Sequence, residues 1–137
     1  MGIYVQQQHF QESITFSGIW DNPITIICDI LVNERLVTIH FPIISSAEST
    51  AGIIIADLPD WLDPIGSVTN KVIVVNDNTT DVAGRIRIAS EGNSFPVTFG
   101  NVGLEIYPST SNTSTFTGTG LGGFPRFDFT YILKNSR

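Results

Sequence analysis

The sequence predicts an all-β fold, a jelly-roll β-sandwich of two antiparallel sheets with about eight or nine short strands. Three observations predict it. Isoleucine (19), valine (10) and threonine (14) supply 43 of the 137 residues, whereas alanine (5), leucine (7) and lysine (2) are scarce. Side chains branched at Cβ pack well on a pleated surface and lose rotamer freedom in helices. Apolar and polar residues alternate with a period of two in segment after segment, and no stretch keeps a helical period. Turn residues recur every ~8–12 positions, the spacing of short strands joined by tight connections.

Residues 1–12 read as a polar, glutamine-rich lead-in, and the jelly-roll domain is expected over 13–137. From Ser13, Ile14 and Phe16 alternate with Thr15 and Ser17 until Gly18 and Asp21-Asn22-Pro23 break the run around Ile19 and Trp20. Ile24 to Val32 and Leu36 to Phe41 form two strands joined by a hairpin turn at Asn33-Glu34-Arg35. Val37, Ile39 and Phe41 share one face of the second, which leaves His40 on the polar one. Pro42 ends that strand, and the serine-rich stretch Ser45 to Thr50 is expected to be a loop.

Gly52 to Ala56 and the centre of Val68 to Val75 are apolar on both faces and predict strands covered on both sides. Between them, the prolines of Asp57 to Pro64 allow no more than a single helical turn, anchored by Leu58 and Trp61. The polar loop Asn76 to Asp81 leads into Gly84 to Ala89, where Arg85 and Arg87 face solvent. Strands follow at Phe95 to Phe99 and Gly103 to Tyr107. The loop Pro108 to Thr115 then leads into a glycine-rich bend and the closing strand FDFTYIL, which is expected inside a sheet with Phe127, Phe129 and Tyr131 on its buried face.

Composition narrows the function classes. A net charge of −6 and a pI near 4.6 argue against nucleic acid, which needs clustered lysine and arginine, and against an anionic membrane surface. No apolar run is long enough for a membrane span, and no basic-then-apolar leader opens the chain, so a signal peptide and membrane insertion are not expected. Such a chain stays in the cytosol or leaves its host cell by another route, such as assembly into a virus particle. The single cysteine, Cys28, cannot form an internal disulfide and lies in an apolar run, where it reads as a small buried hydrophobe.

The order FSGIW (Phe16 to Trp20), LVTIHFP (Leu36 to Pro42), LPDWLDP (Leu58 to Pro64), VIVVND followed by GRIRI, and FTGTG with FDFTYIL resembles the C-terminal head domains of viral and phage fibre proteins and of collagen-like surface proteins. The resemblance runs from about Ser13 to Leu133 and contains no catalytic signature. It implies a jelly roll similar to the tumour-necrosis-factor and C1q-like heads, a homotrimer, a place on the virion surface, and contact with a host receptor or glycan. It also implies an interface role near Phe127, Phe129 and Tyr131. The sequence departs from that pattern in having no collagen-like or coiled-coil stalk before residue 13, and in placing Asn33-Glu34-Arg35 where relatives tend to have a glycine-asparagine turn.

Gly118, Gly120 and Gly123 spell GxGxxG, but a dinucleotide site needs a strand before the motif and a helix after it. Here Pro125 and an alternating strand follow, so the glycines read as a tight bend and no cofactor is expected. Asp57, Asp60, Asp63 and the 77–81 loop lack the ligand order of a calcium loop, and His9 has no second histidine or cysteine nearby, so no metal is expected. His40 reads as a structural or exposed side chain, with the lining of a binding site as the lesser alternative. There is no GxSxG elbow and no motif that places a histidine, so no catalytic residue is assigned and the chain is expected not to be an enzyme. A hydrolase would need two of the scattered aspartates to converge in a cleft. Asn78-Thr79-Thr80 and Asn112-Thr113-Ser114 match the glycosylation acceptor pattern, which matters only in a secretory route. Ligand binding is expected at the loops carrying Trp61, Asn76, Asp77, Asn78 and Asp81, with Pro108 to Thr115, because an aromatic beside polar groups suits a sugar ring. A monomeric carbohydrate-binding β-sandwich of cellular origin is the alternative function.

Overall fold

The computed structural model describes residues 7–90, 102–111 and 114–136. It is all-β, with strands β1 (Gln8–Ser17), β2 (Ile24–Asn33), β3 (Leu36–Phe41), β4 (Ile44–Ala47), β5 (Ile54–Leu58), β6 (Val68–Asp77), β7 (Thr80–Ser90), β8 (Val102–Tyr107), β9 (Leu121–Phe124) and β10 (Phe127–Ile132). A single 3₁₀ turn, Asp60–Leu62, is the only helical element among the described residues. The strands are linked in one antiparallel sheet, in the order β10-β3-β2-β1-β5-β8-β7-β6-β9-β4, rather than in two separate sheets. The expected Phe95 to Phe99 strand lies outside the described residues.

Two features curl this sheet around a single core. β1 meets β5 through only two residue pairs, Phe16↔Ala56 and Ser17↔Ile55, so the sheet turns a corner there. At the other side, β3 and β4 run antiparallel to β10 and β9 in one unbroken register: Phe41 faces Phe127 and Ile44 faces Phe124. Pro42 and Pro125 interrupt this ribbon, because neither can donate to the ladder, and the chain bends at both. The bend gathers Phe16, Phe41 and Phe124 edge to face, at centroid distances of 5.5–6.4 Å, and stacks Phe127 on Phe41 at 4.7 Å. Each fully buried ring contributes about 2 kcal/mol over the exposed state.

The hairpin at Glu34-Arg35 is as expected, with Glu34 in the left-handed region and Asn33 paired to Leu36. Several other expectations are corrected. β1 starts at Gln8, inside the expected lead-in, because His9 to Glu12 pair with β2. The serine-rich stretch and the glycine-rich bend form β4 and β9, which pair with each other. The 76–81 loop is a tight turn at Asn78-Thr79, both with positive φ, as a two-residue hairpin requires. β6 is covered on one face only: Val72 and Val74 are 61% and 49% exposed, while Ile73 and Val75 are buried; in β5 the outward Ile55 is half-buried. Leu58 and Trp61 anchor the 57–64 segment as expected, Trp61 half-buried against the core, and the buried Leu62 joins them.

Among the described strands the closing strand is an edge, not an interior strand. Its free side is nevertheless blocked: Lys71 Nζ donates to the Asp128 carbonyl, the Ile65 amide donates to Ile132, and Leu133 bridges to Pro64. Such blocking prevents edge-to-edge pairing. Phe129 and Tyr131 are buried within the chain's own core and Phe127 is half-buried. Burial also pushes the Tyr131 phenol up, and its hydroxyl donates to the Leu62 carbonyl at 2.7 Å.

Candidate functional site

The GxGxxG segment does hold an acidic group, and that group is the chain's own Glu48. The Glu48 carboxylate, 7% exposed, accepts the Gly118 amide on Oε1 at 3.0 Å and the Asn78 amide on Oε2 at 2.9 Å. A Cβ on Gly122 would lie 2.5 Å from the Glu48 side chain, which is why glycine stands there. Burial, first, and a hydrogen bond shared with Asp77 raise the Glu48 carboxyl above its ordinary range. Asp77 Oδ1 in turn accepts the Thr117 amide and hydroxyl at 3.0 and 3.1 Å. Glu48 therefore ties the β6–β7 turn to the glycine-rich segment, leaving no open phosphate cradle.

The sequence-predicted ligand residues do not come together. Asn76, Asp77, Asn78 and Asp81 sit at the β6–β7 turn, where Asn76 Nδ2 donates to Asp81 Oδ1 and Thr119 Oγ1 to Asn78 Oδ1. Trp61 lies toward the other end of β6, roughly 30 Å along a ten-residue strand. There it packs on Phe10, with centroids 5.1 Å apart, and donates to Glu12 Oε1. Cys28 is fully buried, and desolvation pushes its thiol up to about 12, the signature of an inert core thiol.

A different group of residues converges on the outward face of β1, β2, β3 and β10. Register places Gln11 opposite Asp29, Asp29 opposite His40, and His40 opposite Asp128, so four strands contribute one polar row. Adjacent strands lie about 4.8 Å apart, so neighbouring side chains in such a row interact directly. His40 Nδ1–H donates to Asp128 Oδ1 at 2.6 Å. Asp29 Oδ1 accepts Gln11 Nε2 at 2.9 Å and His9 Nε2 at 3.2 Å, and those two bonds, in that order, hold the Asp29 carboxyl below its usual range. Beside the row, where Pro42 and Pro125 bend the ribbon, Asp29, His40, Phe41, Pro42, Arg126 and Asp128 line an open pocket of about 350 Å³. That volume falls at the small end of the range for ligand sites.

Another carboxylate stands on the outward face of the other half of the sheet. Glu105 of β8 is 0% exposed, opposite Arg87 of β7, whose Nη1 lies 3.7 Å from Glu105 Oε1. Tyr107 donates to Glu105 Oε2 at 3.0 Å, while Oε1 has no hydrogen bond among the described residues. Burial pushes the Glu105 carboxyl up to about 6, opposed by Tyr107 and Arg87. Arg85 and Arg87 are thus half-buried rather than solvent-facing, and Arg85 reaches the Thr110 carbonyl at 3.3 Å.

Neither the pocket nor the buried Glu105 is legible in the sequence. Alternation puts His40 on the polar side of its strand, but only register joins it to Asp29 and Asp128, which are distant in sequence. No protein-family model matches the sequence, and no curated protein matches it. Among solved structures the chain is similar to the reovirus attachment protein sigma1, determined in complex with alpha-2,3-sialyllactose, at 9% identity and a TM-score of 0.49. The match covers 93% of this chain and 66% of that one, so the chain spans just under two thirds of that protein's solved length.

Proposed function

We propose that the chain is a non-enzymatic structural and adhesive module, a head of a viral fibre or surface protein that assembles as a jelly-roll homotrimer on a virion and touches a host receptor or glycan. The observation that carries the adhesive part is the polar row from Gln11 to Asp128, with its pocket at Arg126. Groups fixed on four hydrogen-bonded strands lose little further freedom when they bind, which favours recognition. Assembly is supported by apolar side chains left outside the core: Ile43, Val72, Val74 and Leu121 are 43–65% exposed. The order of strands and turns along the sequence supports the fibre-head reading.

A monomeric carbohydrate-binding module is the second reading, favoured by the burial of Phe129 and Tyr131 in the chain's own core. Sedimentation equilibrium separates the two. A trimer of 15.0 kDa chains gives a species of about 45 kDa. A 15.0 kDa species persisting at high protein concentration overturns the assembled head and leaves the monomeric module.

A further inference from the structure

The pocket at the ribbon bend has a definite chemistry in its unused groups. Asp29 and Asp128 each commit only Oδ1 to neighbouring side chains, so each Oδ2 stands without a partner among the described residues. His40 spends Nδ1 on Asp128 and leaves Nε2 without one. Arg126, at the bend, makes no hydrogen bond among the described residues. The site thus offers two carboxylate acceptors, one guanidinium donor and one ring nitrogen around about 350 Å³. These groups are held from behind: Gln11 and His9 fix Asp29, His40 and Asp128 fix each other, and Phe127 stacked on Phe41 underlies the strands that carry them.

We infer that this pocket takes a neutral, hydroxyl-rich ligand, a saccharide without ionised groups. The selection is electrostatic. A ligand anion that pairs with Arg126 must lie beside Asp29 and Asp128, on a chain of net charge −6. An ammonium group drawn to the aspartates must lie beside Arg126. A sugar hydroxyl both donates and accepts, so adjacent hydroxyls satisfy a carboxylate and the guanidinium together without burying an unpaired charge. The inference deepens the recognition reading above and is independent of whether the chain trimerises.

The test is amide chemical-shift mapping on the full chain with matched probes: methyl galactoside and lactose as neutral sugars, galacturonate as the anion, and galactosamine as the cation. A neutral probe is expected to shift the amides of Asp29, His40, Arg126 and Asp128 and to bind about tenfold more tightly than either charged analogue. Arg126→Ala and Asp29→Ala are each expected to weaken the neutral probe about tenfold, because each removes one charge-assisted hydrogen bond to it, while moving the melting temperature by less than about 2 °C. Tightest binding by galacturonate or galactosamine overturns the inference in favour of an anion or cation site. Shifts that avoid the pocket, the absence of any shift, or full affinity in both variants also overturns it. Loss of the trimer with sugar binding intact would strike only the assembly reading.

Discussion

Two outward-facing carboxylate sites, built alike, differ in exposure. In the β1-β2-β3-β10 half, Asp29 and Asp128 flank His40 on adjacent strands and stand in solvent. In the β5-β8-β7 half, Glu105 faces Arg87 across the same kind of pair and is fully buried. Each is an acid opposite a base on an antiparallel ladder. Among the described residues, the first keeps exposed acceptor oxygens without a partner, whereas the second keeps a buried oxygen without a hydrogen bond. The difference lies in solvent access: the side chains of Asp29 and Asp128 are 51% and 57% exposed, and that of Glu105 is 0% exposed. Burial raises the Glu105 carboxyl, whereas hydrogen bonds from Gln11 and His9 lower the exposed Asp29.

The comparison breaks first at Arg87. Removing the cation from a buried carboxylate leaves an uncompensated charge, so Arg87→Ala is expected to cost about 3 kcal/mol at neutral pH. The cost should shrink when Glu105 takes up a proton, since a neutral carboxyl needs no cation. Urea denaturation at pH 7 and pH 4.5 measures both. An equal loss at the two pH values would mean that Arg87 acts through the packing of its stem, and the parallel between the sites would fail.

A smaller effect is the pH dependence that Glu105 imposes. Its folded-state pKa of about 6 lies above its ordinary 4.5, so the folded chain holds the proton more tightly. The stability that Glu105 contributes is therefore fully present below about 4.5, is lost as pH rises between 4.5 and about 6, and changes no further above that. A shift of this size corresponds to roughly 2 kcal/mol. Glu105→Gln should remove this slope, because the amide does not titrate. A slope of unchanged size in the variant would assign it to another group, with Glu48, also raised by burial, the first to examine.

What the sequence made legible follows from the range of each signal. Alternation is local, so β2, β3, β7, β8 and the buried face of β10 could be read from their own residues. The β2–β3 turn could be read in the same way. β4 and β9 escaped because serine and glycine carry little strand propensity, and what makes them strands is their pairing with each other across a long stretch of chain, Ser46 opposite Gly122. Val72 and Val74 misled because a β-branched residue suits a strand whether its face is covered or open. The pocket needs Asp29, His40 and Asp128 in register, a long-range fact. Glu105 needs a cover, which alternation does not encode.

The smallest expected effect falls on the open site and sharpens the contrast most. Asp29 has its folded pKa lowered by Gln11 and His9, so its sign is opposite to that of Glu105. Whatever stability it contributes is present above its ordinary 3.8 and is lost as pH falls through the lowered value. The group is exposed and screened by solvent, so Asp29→Asn should move the melting temperature at neutral pH by less than about 2 °C. It should leave the decline between pH 4.5 and about 6 intact, because that decline belongs to Glu105. Thermal melts of Asp29→Asn and Glu105→Gln from acid to neutral pH compare the sites directly. A large loss of stability in the Asp29 variant would show that the polar row is a structural clamp, and its side chains would then have little left to offer a ligand.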